Sequence, residues 1–170
     1  NLAAAWLARS PDHRAVLIAT AEAHDDEMRA RIARHQRERA ARVPGLRTLE
    51  ARHDLPTAIA QAGGADTLHI VDCLTLWLTQ QLMPLEDSGP NRPPAPDWRA
   101  QTALFIEAIR ACPGPIVLVG NEIGLGVIPL GREVRAFVDA LGTLNQQVAA
   151  ACERVTLMAA GLPLTLKGQP

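Results

Sequence analysis

The chain has 170 residues, 48% of them hydrophobic, and a formal net charge of −1 at pH 7. This length is enough for one domain with a buried core, so we expect a single domain over residues 1–170. The near-zero net charge and the scarcity of aromatic residues argue against a protein that grips nucleic acid by charge and stacking, so no nucleic-acid partner is expected.

The cysteines and the apolar runs indicate the compartment. Cys73, Cys112 and Cys152 are odd in number and widely spaced, and no CxxC pair occurs. This pattern argues against a disulfide framework or a zinc site and favours a reducing, cytoplasmic location. Because no apolar run approaches the roughly 20 residues that span a bilayer, we expect no membrane span.

Short apolar runs alternate with longer amphipathic ones along the chain. The apolar runs predict strands at 15–20, 67–72, 115–120 and 154–160. Amphipathic spacing predicts helices near 24–42, 53–62, 74–83, 97–111 and 132–152. Strands that are apolar throughout and alternate with helices are typical of an α/β domain with a mostly parallel sheet. Ligands of such domains bind at the carboxyl ends of the strands.

The first predicted helix carries an unusual cationic cluster. It begins at the acidic run 25–27, where carboxylates are favoured by the helix dipole. Four arginines surround its histidine, His35: Arg31, Arg34, Arg37 and Arg39. Neighbouring cations favour a neutral imidazole, which is nucleophilic, and arginines bind phosphate oxygens. The sequence alone leaves two interpretations open, a site for an anion and a solvated basic helix with an incidental histidine.

Two further segments follow strands and could bind a ligand. Asp72 ends the strand 67–72, where a carboxylate serves Mg²⁺ or a nucleotide hydroxyl in some proteins and caps the next helix in others. The segment "GNEIGLG" (120–126) follows the strand 115–120. Its glycines allow a close backbone approach to a ligand or simply a tight turn, and they do not complete a dinucleotide-binding fingerprint.

The remaining segments are expected to be structural. Residues 84–97 hold five prolines and predict a loop that delivers Asp97 as the N-cap of the following helix. The long helix 132–152 carries an apolar stripe, and Gly142 within it is expected to permit a close helix crossing.

Taken together and in order, several motifs resemble one family. They are "IAT" followed by "DDEMRARIARH", "TLE" ending at Glu50, "VDCLTLWL", "NEIGLGVIP" and the C-terminal "RAFVDALGTLNQQVAAACERVTLMAAGLPLTLK". Their combination resembles the bifunctional adenosylcobinamide kinase / adenosylcobinamide-phosphate guanylyltransferase family of cobalamin biosynthesis, over nearly the whole chain. The resemblance implies an α/β, RecA-like P-loop nucleotide-binding fold, a mostly parallel sheet flanked by helices, and a homo-oligomer, specifically a trimer.

The resemblance also implies an activity and a site. The family phosphorylates adenosylcobinamide with ATP or GTP, using Mg²⁺, and then transfers GMP from GTP to the phosphate through a guanylylated histidine. That histidine corresponds to His35. The implied nucleotide contacts are Ala19, Thr20, Ala21, Gln36, Arg37, Glu38, Arg39, Glu50 and Asp72.

The family pattern also includes a first strand and a glycine-rich phosphate loop, which are expected to precede residue 1. Two alternatives accompany this interpretation. One is another P-loop kinase or nucleotidyltransferase with a different acceptor. The other, if the loop is truly lost, is a catalytically inactive oligomeric scaffold.

Overall fold

The computed structural model of the chain describes residues 2–23, 25–51, 54–83 and 97–169. These residues divide into two compact units, one extending to Asn121 and the other beginning at Glu122. The single domain over residues 1–170 stays a prediction.

The first unit alternates helices and strands. Its elements are α1 (Leu2–Leu7), β1 (Arg14–Ala19), α2 (Asp26–Arg42), β2 (Leu46–Glu50), α3 (Leu55–Ala62), β3 (Thr67–Asp72), α4 (Leu74–Leu82), α5 (Trp98–Ala111) and β4 (Ile116–Val119). The four strands form one sheet in the order β2-β1-β3-β4, and every neighbouring pair is parallel. The predicted α/β class with a mostly parallel sheet is confirmed, whereas its assignment as RecA-like stays a prediction.

Apolar side chains on the two central strands bind the sheet to its helices. One sheet face carries Ala15 and Leu68, which form a buried cluster with Ala3 of α1. Helix α3 packs against β1, β3 and α5, and α4 packs against α5. Trp77 and Phe105 are fully buried, with ring centroids 5.3 Å apart. Burial of such large side chains is the main force that holds the layers together.

Aspartates determine where three of the helices begin. Asp25 caps α2 by accepting from the Met28 amide at 2.6 Å. Asp54 caps α3, and Asp97 caps α5 by accepting from the Arg99 amide at 3.0 Å. Each carboxylate satisfies an amide that has no partner within its helix. The expected cap at Asp97 is therefore confirmed, and the helix expected to begin at the acidic run 25–27 does begin there.

The second unit contains a short 3₁₀ turn (Ile123–Leu125), α6 (Arg132–Ala151), β5 (Val155–Ala159) and β6 (Leu162–Lys167). Strands β5 and β6 form an antiparallel two-stranded sheet. The side chain of Lys167 donates to the carbonyls of Ala149 and Ala150 at the end of α6. A cation at this position also suits the partial negative charge of the helix terminus.

The structure corrects one predicted element and adds two strands. The run 154–160 does form a strand, but in the antiparallel pair rather than in the parallel sheet. The close helix crossing expected at Gly142 stays a prediction. Strands β2 and β6 were not predicted, because β2 is a largely exposed edge strand and β6 is exposed throughout.

The predicted proline-rich loop lies, except for Asp97, outside the described residues. Among the helices that the structure describes, none combines the length and apolar character required to cross a bilayer.

Candidate functional site

The carboxyl ends of the four parallel strands form a row of side chains at one edge of the sheet. The last residue of β1, Ala19, is the register partner of both Glu50 on β2 and Asp72 on β3. Asp72 in turn pairs with Val119 on β4. Register partners in a parallel sheet point to the same face, so all four side chains share one face. The sheet therefore brings together three of the predicted site residues: Ala19, Glu50 and Asp72.

Ala19 separates the two carboxylates of this row. Adjacent strands lie about 4.8 Å apart, so the Cα atoms of Glu50 and Asp72, two strands apart, are separated by about 10 Å. Both acidic residues are exposed, and the side chain between them is a short alanine. The row thus offers carboxylate oxygens on both sides of Ala19.

Glu50 and Asp72 are the two carboxylates at this edge that could hold a cation. No group of three or more His, Cys, Asp or Glu side chains that could hold a metal is present among the described residues. Magnesium does not require such a group, because it is often held by one or two carboxylates, substrate phosphates and water. The donor set therefore fits a magnesium–nucleotide complex better than a metal enclosed by the protein.

Thr20 follows the row and is fully buried. Its hydroxyl donates to the Cys73 carbonyl at 2.8 Å and accepts from the Cys73 amide at 2.9 Å. Its own amide donates to the Asp72 carbonyl at 3.1 Å, and its carbonyl accepts from Gln80 Nε2 at 2.7 Å. Four hydrogen bonds therefore join Thr20 to the end of β3 and to α4. Ala21, the next predicted contact, is half-buried.

Cys73 lies beside Asp72 but is not suited to nucleophilic chemistry. Burial raises the pKa of its thiol, and the charge of Asp72 raises that pKa further. Hydrogen bonds from the backbone of Leu76 and from Thr75 oppose the shift without reversing it. The thiolate is the reactive form of cysteine, so a raised pKa leaves an inert thiol near neutral pH. This edge of the site supplies oxygen ligands rather than a sulfur nucleophile.

Helix α4 also holds the loop that leaves β4. The Asn121 amide donates to the Thr75 hydroxyl at 3.0 Å. Thr75 lies in the first turn of α4, directly after the Asp72–Cys73 pair. The start of the "GNEIGLG" segment is therefore attached to the same helix that Thr20 holds. In the second unit, Asn145 on α6 donates to Glu122 at 3.2 Å.

Helix α2 presents the predicted cationic cluster to solvent. The helix buries no residue completely, and Met28, Ile32 and Arg39 are half-buried at helical spacing. His35 and the adjoining predicted contacts are exposed: Gln36, Arg37 and Glu38. Among the described residues, the side chain of Arg37 has no hydrogen bond or ion pair. The cluster is therefore accessible and rich in donors suited to phosphate oxygens.

The two groups of predicted residues lie on different elements. His35 is nine residues beyond the start of α2 at Asp26. At 1.5 Å per residue, this places it about 14 Å along the helix. Among the described residues, no hydrogen bond or ion pair joins His35 to Asp72 or Ala19. A ligand that used both groups would have to extend between the carboxyl edge and the exposed helix.

The sequence-based reasoning missed two residues of this edge, Thr75 and Gln80. Both lie on α4, within the quoted "VDCLTLWL" motif or just after it. The polar positions of an otherwise apolar segment were the available signal, because buried polar groups require partners. Which partners they bind depends on strands that are distant in the sequence.

A parallel α/β sheet with an acidic residue at its carboxyl edge defines a class of proteins that bind their ligands at that edge. Over residues 1–166, the chain matches the family model CobU, described as cobinamide kinase / cobinamide phosphate guanyltransferase. The chain belongs to this family.

Similar proteins carry related names. The chain is 45% identical over 153 residues to the bifunctional adenosylcobalamin biosynthesis protein CobP of Pseudomonas aeruginosa, covering 90% of this chain and 82% of that protein. It is 36% identical over 157 residues to the bifunctional adenosylcobalamin biosynthesis protein CobU of Salmonella typhimurium, covering 88% and 84%. The Escherichia coli protein of the same name is 34% identical over 159 residues, covering 88% and 84%. The resemblance inferred from the motifs is confirmed.

Proposed function

We propose that this protein phosphorylates adenosylcobinamide with ATP or GTP and then transfers GMP from GTP to adenosylcobinamide phosphate, yielding adenosylcobinamide-GDP. The observation that carries the proposal is the family match over residues 1–166. The geometry supports it through the carboxylates at the sheet edge and the exposed arginine-rich helix, which suit a nucleotide that carries several phosphates.

The guanylyl transfer is proposed to pass through His35. A ring nitrogen of its neutral imidazole attacks the α-phosphorus of GTP, forming a P–N bond as the bond to the diphosphate oxygen breaks. Diphosphate leaves with the electron pair. A phosphate oxygen of adenosylcobinamide phosphate then attacks the same phosphorus, the P–N bond breaks, and the histidine is released. Guanidinium groups near His35 would stabilise the negative charge on the phosphoryl oxygens during both steps.

The proposed nucleotide contacts divide between the two regions. Ala19, Ala21, Glu50 and Asp72 serve from the carboxyl edge, where the buried Thr20 acts through its neighbours, and Gln36, Arg37, Glu38 and Arg39 serve from α2. Within this set we assign Asp72 to a magnesium ion that accompanies the phosphates, because it is an exposed carboxylate directly at the end of a central strand.

The covalent intermediate can be tested directly. Full-length protein is incubated with Mg²⁺ and GTP labelled on the α-phosphate, and is then denatured. We expect a protein-bound label that is stable in alkali and labile in acid, as a phosphoramidate should be. His35→Asn should carry no label. The control His13→Asn removes another histidine of the same unit and should retain it.

Two results would contradict this assignment. One is a label of undiminished amount on His35→Asn. The other is GMP transfer by the wild-type protein at full rate with no labelled intermediate on rapid quenching. Thermal unfolding of all three proteins establishes that each is folded.

We further propose a homo-oligomer, specifically a trimer, located in the cytoplasm. Exposed apolar side chains from the end of the 3₁₀ turn to the start of α6 support a contact between copies: Leu125, Val127, Ile128 and Leu130. Exposed apolar patches commonly mark a protein interface. Light scattering coupled to size exclusion gives the subunit count, and Val127→Glu should reduce it. A monomeric wild-type protein would contradict the proposal.

A further inference from the structure

Thr20 makes an unusually complete set of hydrogen bonds beside the proposed magnesium ligand. Its side chain is fully buried, and its hydroxyl both donates to and accepts from the main chain of Cys73. The hydroxyl therefore continues the β1–β3 pairing by one step beyond Ala19 and Asp72, the last register pair of the two strands.

The same residue also holds helix α4. The Cys73 carbonyl that accepts from the Thr20 hydroxyl is also the acceptor of the Trp77 amide in the first turn of α4. Two turns into the helix, Gln80 donates to the Thr20 carbonyl. The hydrogen bonds of Thr20 to Asp72, Cys73 and Gln80 are named here the Thr20 clamp.

The clamp fixes the main chain directly after Asp72. Val71 and Cys73 are buried, whereas Asp72 is exposed between them. The Asp72 carbonyl accepts from the Thr20 amide, and the Cys73 amide of the same peptide group donates to the Thr20 hydroxyl. The Cys73 carbonyl, in the following peptide group, accepts from the same hydroxyl. On its other side Asp72 belongs to β3, which pairs with β1 and β4, so the main chain that carries its side chain is held in both directions.

We propose that Thr20 is a positioning residue that holds Asp72 in the orientation required for the magnesium–nucleotide complex. This inference rests on the proposed function and deepens it. The donor and the acceptor of the hydroxyl are both engaged with Cys73, so the hydroxyl acts through Asp72 and not by contacting the nucleotide. Thr75 extends the same arrangement to the neighbouring loop through the Asn121 amide.

The chain offers well-matched variants. Thr20→Ser keeps the hydroxyl, and Thr20→Val keeps the shape and removes both hydrogen bonds. Thr102 provides the control, because it is equally buried and its hydroxyl donates to the Trp98 carbonyl at 2.8 Å within α5, outside the clamp. Thr102→Val removes a buried hydroxyl of the same kind without touching Asp72.

The first measurement needs no substrate. Hydrogen exchange of the Cys73 amide should accelerate at least about tenfold in Thr20→Val relative to the wild type, and should change little in Thr20→Ser and Thr102→Val. Unchanged exchange in Thr20→Val would overturn the clamp itself, whether or not the proposed function is correct.

The second measurement uses guanylyl transfer. Thr20→Val should lower kcat about tenfold or more and raise the Mg²⁺ concentration for half-maximal rate, as loss of a supporting hydrogen bond does at metal sites. The KM for GTP at saturating Mg²⁺ should change less than about threefold, and Thr20→Ser should restore the wild-type rate. A raised KM with unchanged kcat would overturn the proposal in favour of a direct nucleotide contact.

A double-mutant cycle tests whether Thr20 acts through Asp72. If Thr20 acts through Asp72, adding Thr20→Val to Asp72→Asn should cause no further loss of rate, whereas independent effects would multiply. Multiplied losses would overturn the proposal. A wild-type protein that transfers no GMP, together with the expected exchange pattern, would count against the proposed function and leave the clamp standing.

Discussion

The carboxyl edge of the sheet and helix α2 contrast sharply, although both belong to the first unit. At the edge, Thr20 and Cys73 are buried and the main chain around Asp72 is held by several hydrogen bonds. Helix α2 buries no residue, and His35 and Arg37 are exposed. One region has its geometry set by the protein, and the other has donors whose geometry only a ligand or a partner would set.

This difference suggests a division of labour. A fixed edge is suited to orienting a metal and phosphates, because preorganised groups need no rearrangement as charge develops. An exposed cationic helix is suited to attracting and following an anionic ligand. Substitutions in the two regions should consequently differ in what they change, with rate and metal dependence affected at Asp72 and affinity and salt dependence affected at the arginines of α2.

The largest change in guanylyl transfer rate is expected from Asp72→Asn. Removing the carboxylate charge next to the phosphates should lower the guanylyl transfer rate by about 100-fold, and the half-saturating Mg²⁺ concentration should rise. The comparison variant is Glu50→Gln, two strands away in the same row. We expect Glu50→Gln to raise the KM for GTP without altering the Mg²⁺ dependence.

Steady-state rates over a Mg²⁺ series distinguish the two carboxylates. An unchanged Mg²⁺ dependence in Asp72→Asn would remove its assignment as a metal ligand. Identical profiles for both variants would show that the row acts as one unit.

On helix α2, Arg37→Gln should act mainly on affinity. A hydrogen bond to a charged group contributes about 1.5–3 kcal/mol, so the KM for GTP should rise about tenfold or more. Because Arg37 is exposed and unpaired among the described residues, the free energy of unfolding should change by less than about 0.5 kcal/mol. The salt dependence of KM should also weaken, since one cation is lost.

Arg110→Gln is the matched control on α5. Its guanidinium is exposed and pairs with Glu107 at 2.7 Å, away from α2 and from the row at the carboxyl edge. It should leave the KM unchanged. An equal rise of KM in both variants would mean that general surface charge, and not the helix, attracts the nucleotide.

The contrast between the regions also explains what the sequence could predict. Asp72 was placed correctly at the end of a strand, because the apolar run before it has the length and composition of a buried parallel strand. The cluster of arginines around His35 on α2 could be predicted because helical periodicity is a local property of the sequence. Both predictions depended on residues that are close together in the chain.

Features that depend on distant residues were not predicted. Thr20 and Cys73 are 53 positions apart, and only the parallel pairing of β1 with β3 brings the hydroxyl to the peptide group. Strand β2 was missed because it is an exposed edge strand, for which the rule of continuous apolar residues fails. The fold class follows from local patterns, whereas the internal support of the site follows from topology.

A smaller effect, on the free energy of unfolding, is expected from a substitution of His69, which lies on β3 and faces the interior. The residue is fully buried, and neither ring nitrogen has a hydrogen-bond partner among the described residues. Burying such groups without partners costs about 1–3 kcal/mol, so His69→Leu should raise the free energy of unfolding by about 1 kcal/mol. Urea unfolding provides the measurement.

His13→Leu is the control for that substitution. The His13 ring stacks on Trp6 with centroids 3.8 Å apart, and its Nδ1 lies 2.9 Å from the Trp6 carbonyl oxygen. Losing these contacts should lower the free energy of unfolding. A clear destabilisation by His69→Leu would show that the buried imidazole has a partner, such as an internal water.

The smallest expected effect is a loss of folding stability at alkaline pH, and it concerns Cys73 at the carboxyl edge of the sheet. Burial raises the pKa of the Cys73 thiol, so the folded protein keeps this proton at pH values where the unfolded chain has lost it. The free energy of unfolding should therefore be unaffected below the unfolded thiol pKa of about 8.5 and should fall as the pH rises from there toward the raised native pKa. Cys73→Ala removes this group and leaves the other two cysteines, Cys112 and Cys152, in place, so its decline with pH should be shallower. Urea unfolding between pH 7 and pH 10 under reducing conditions compares the two proteins. Parallel declines would mean that the edge around Asp72 admits a thiolate after all, and that its main chain is less firmly held than the Thr20 hydrogen bonds imply.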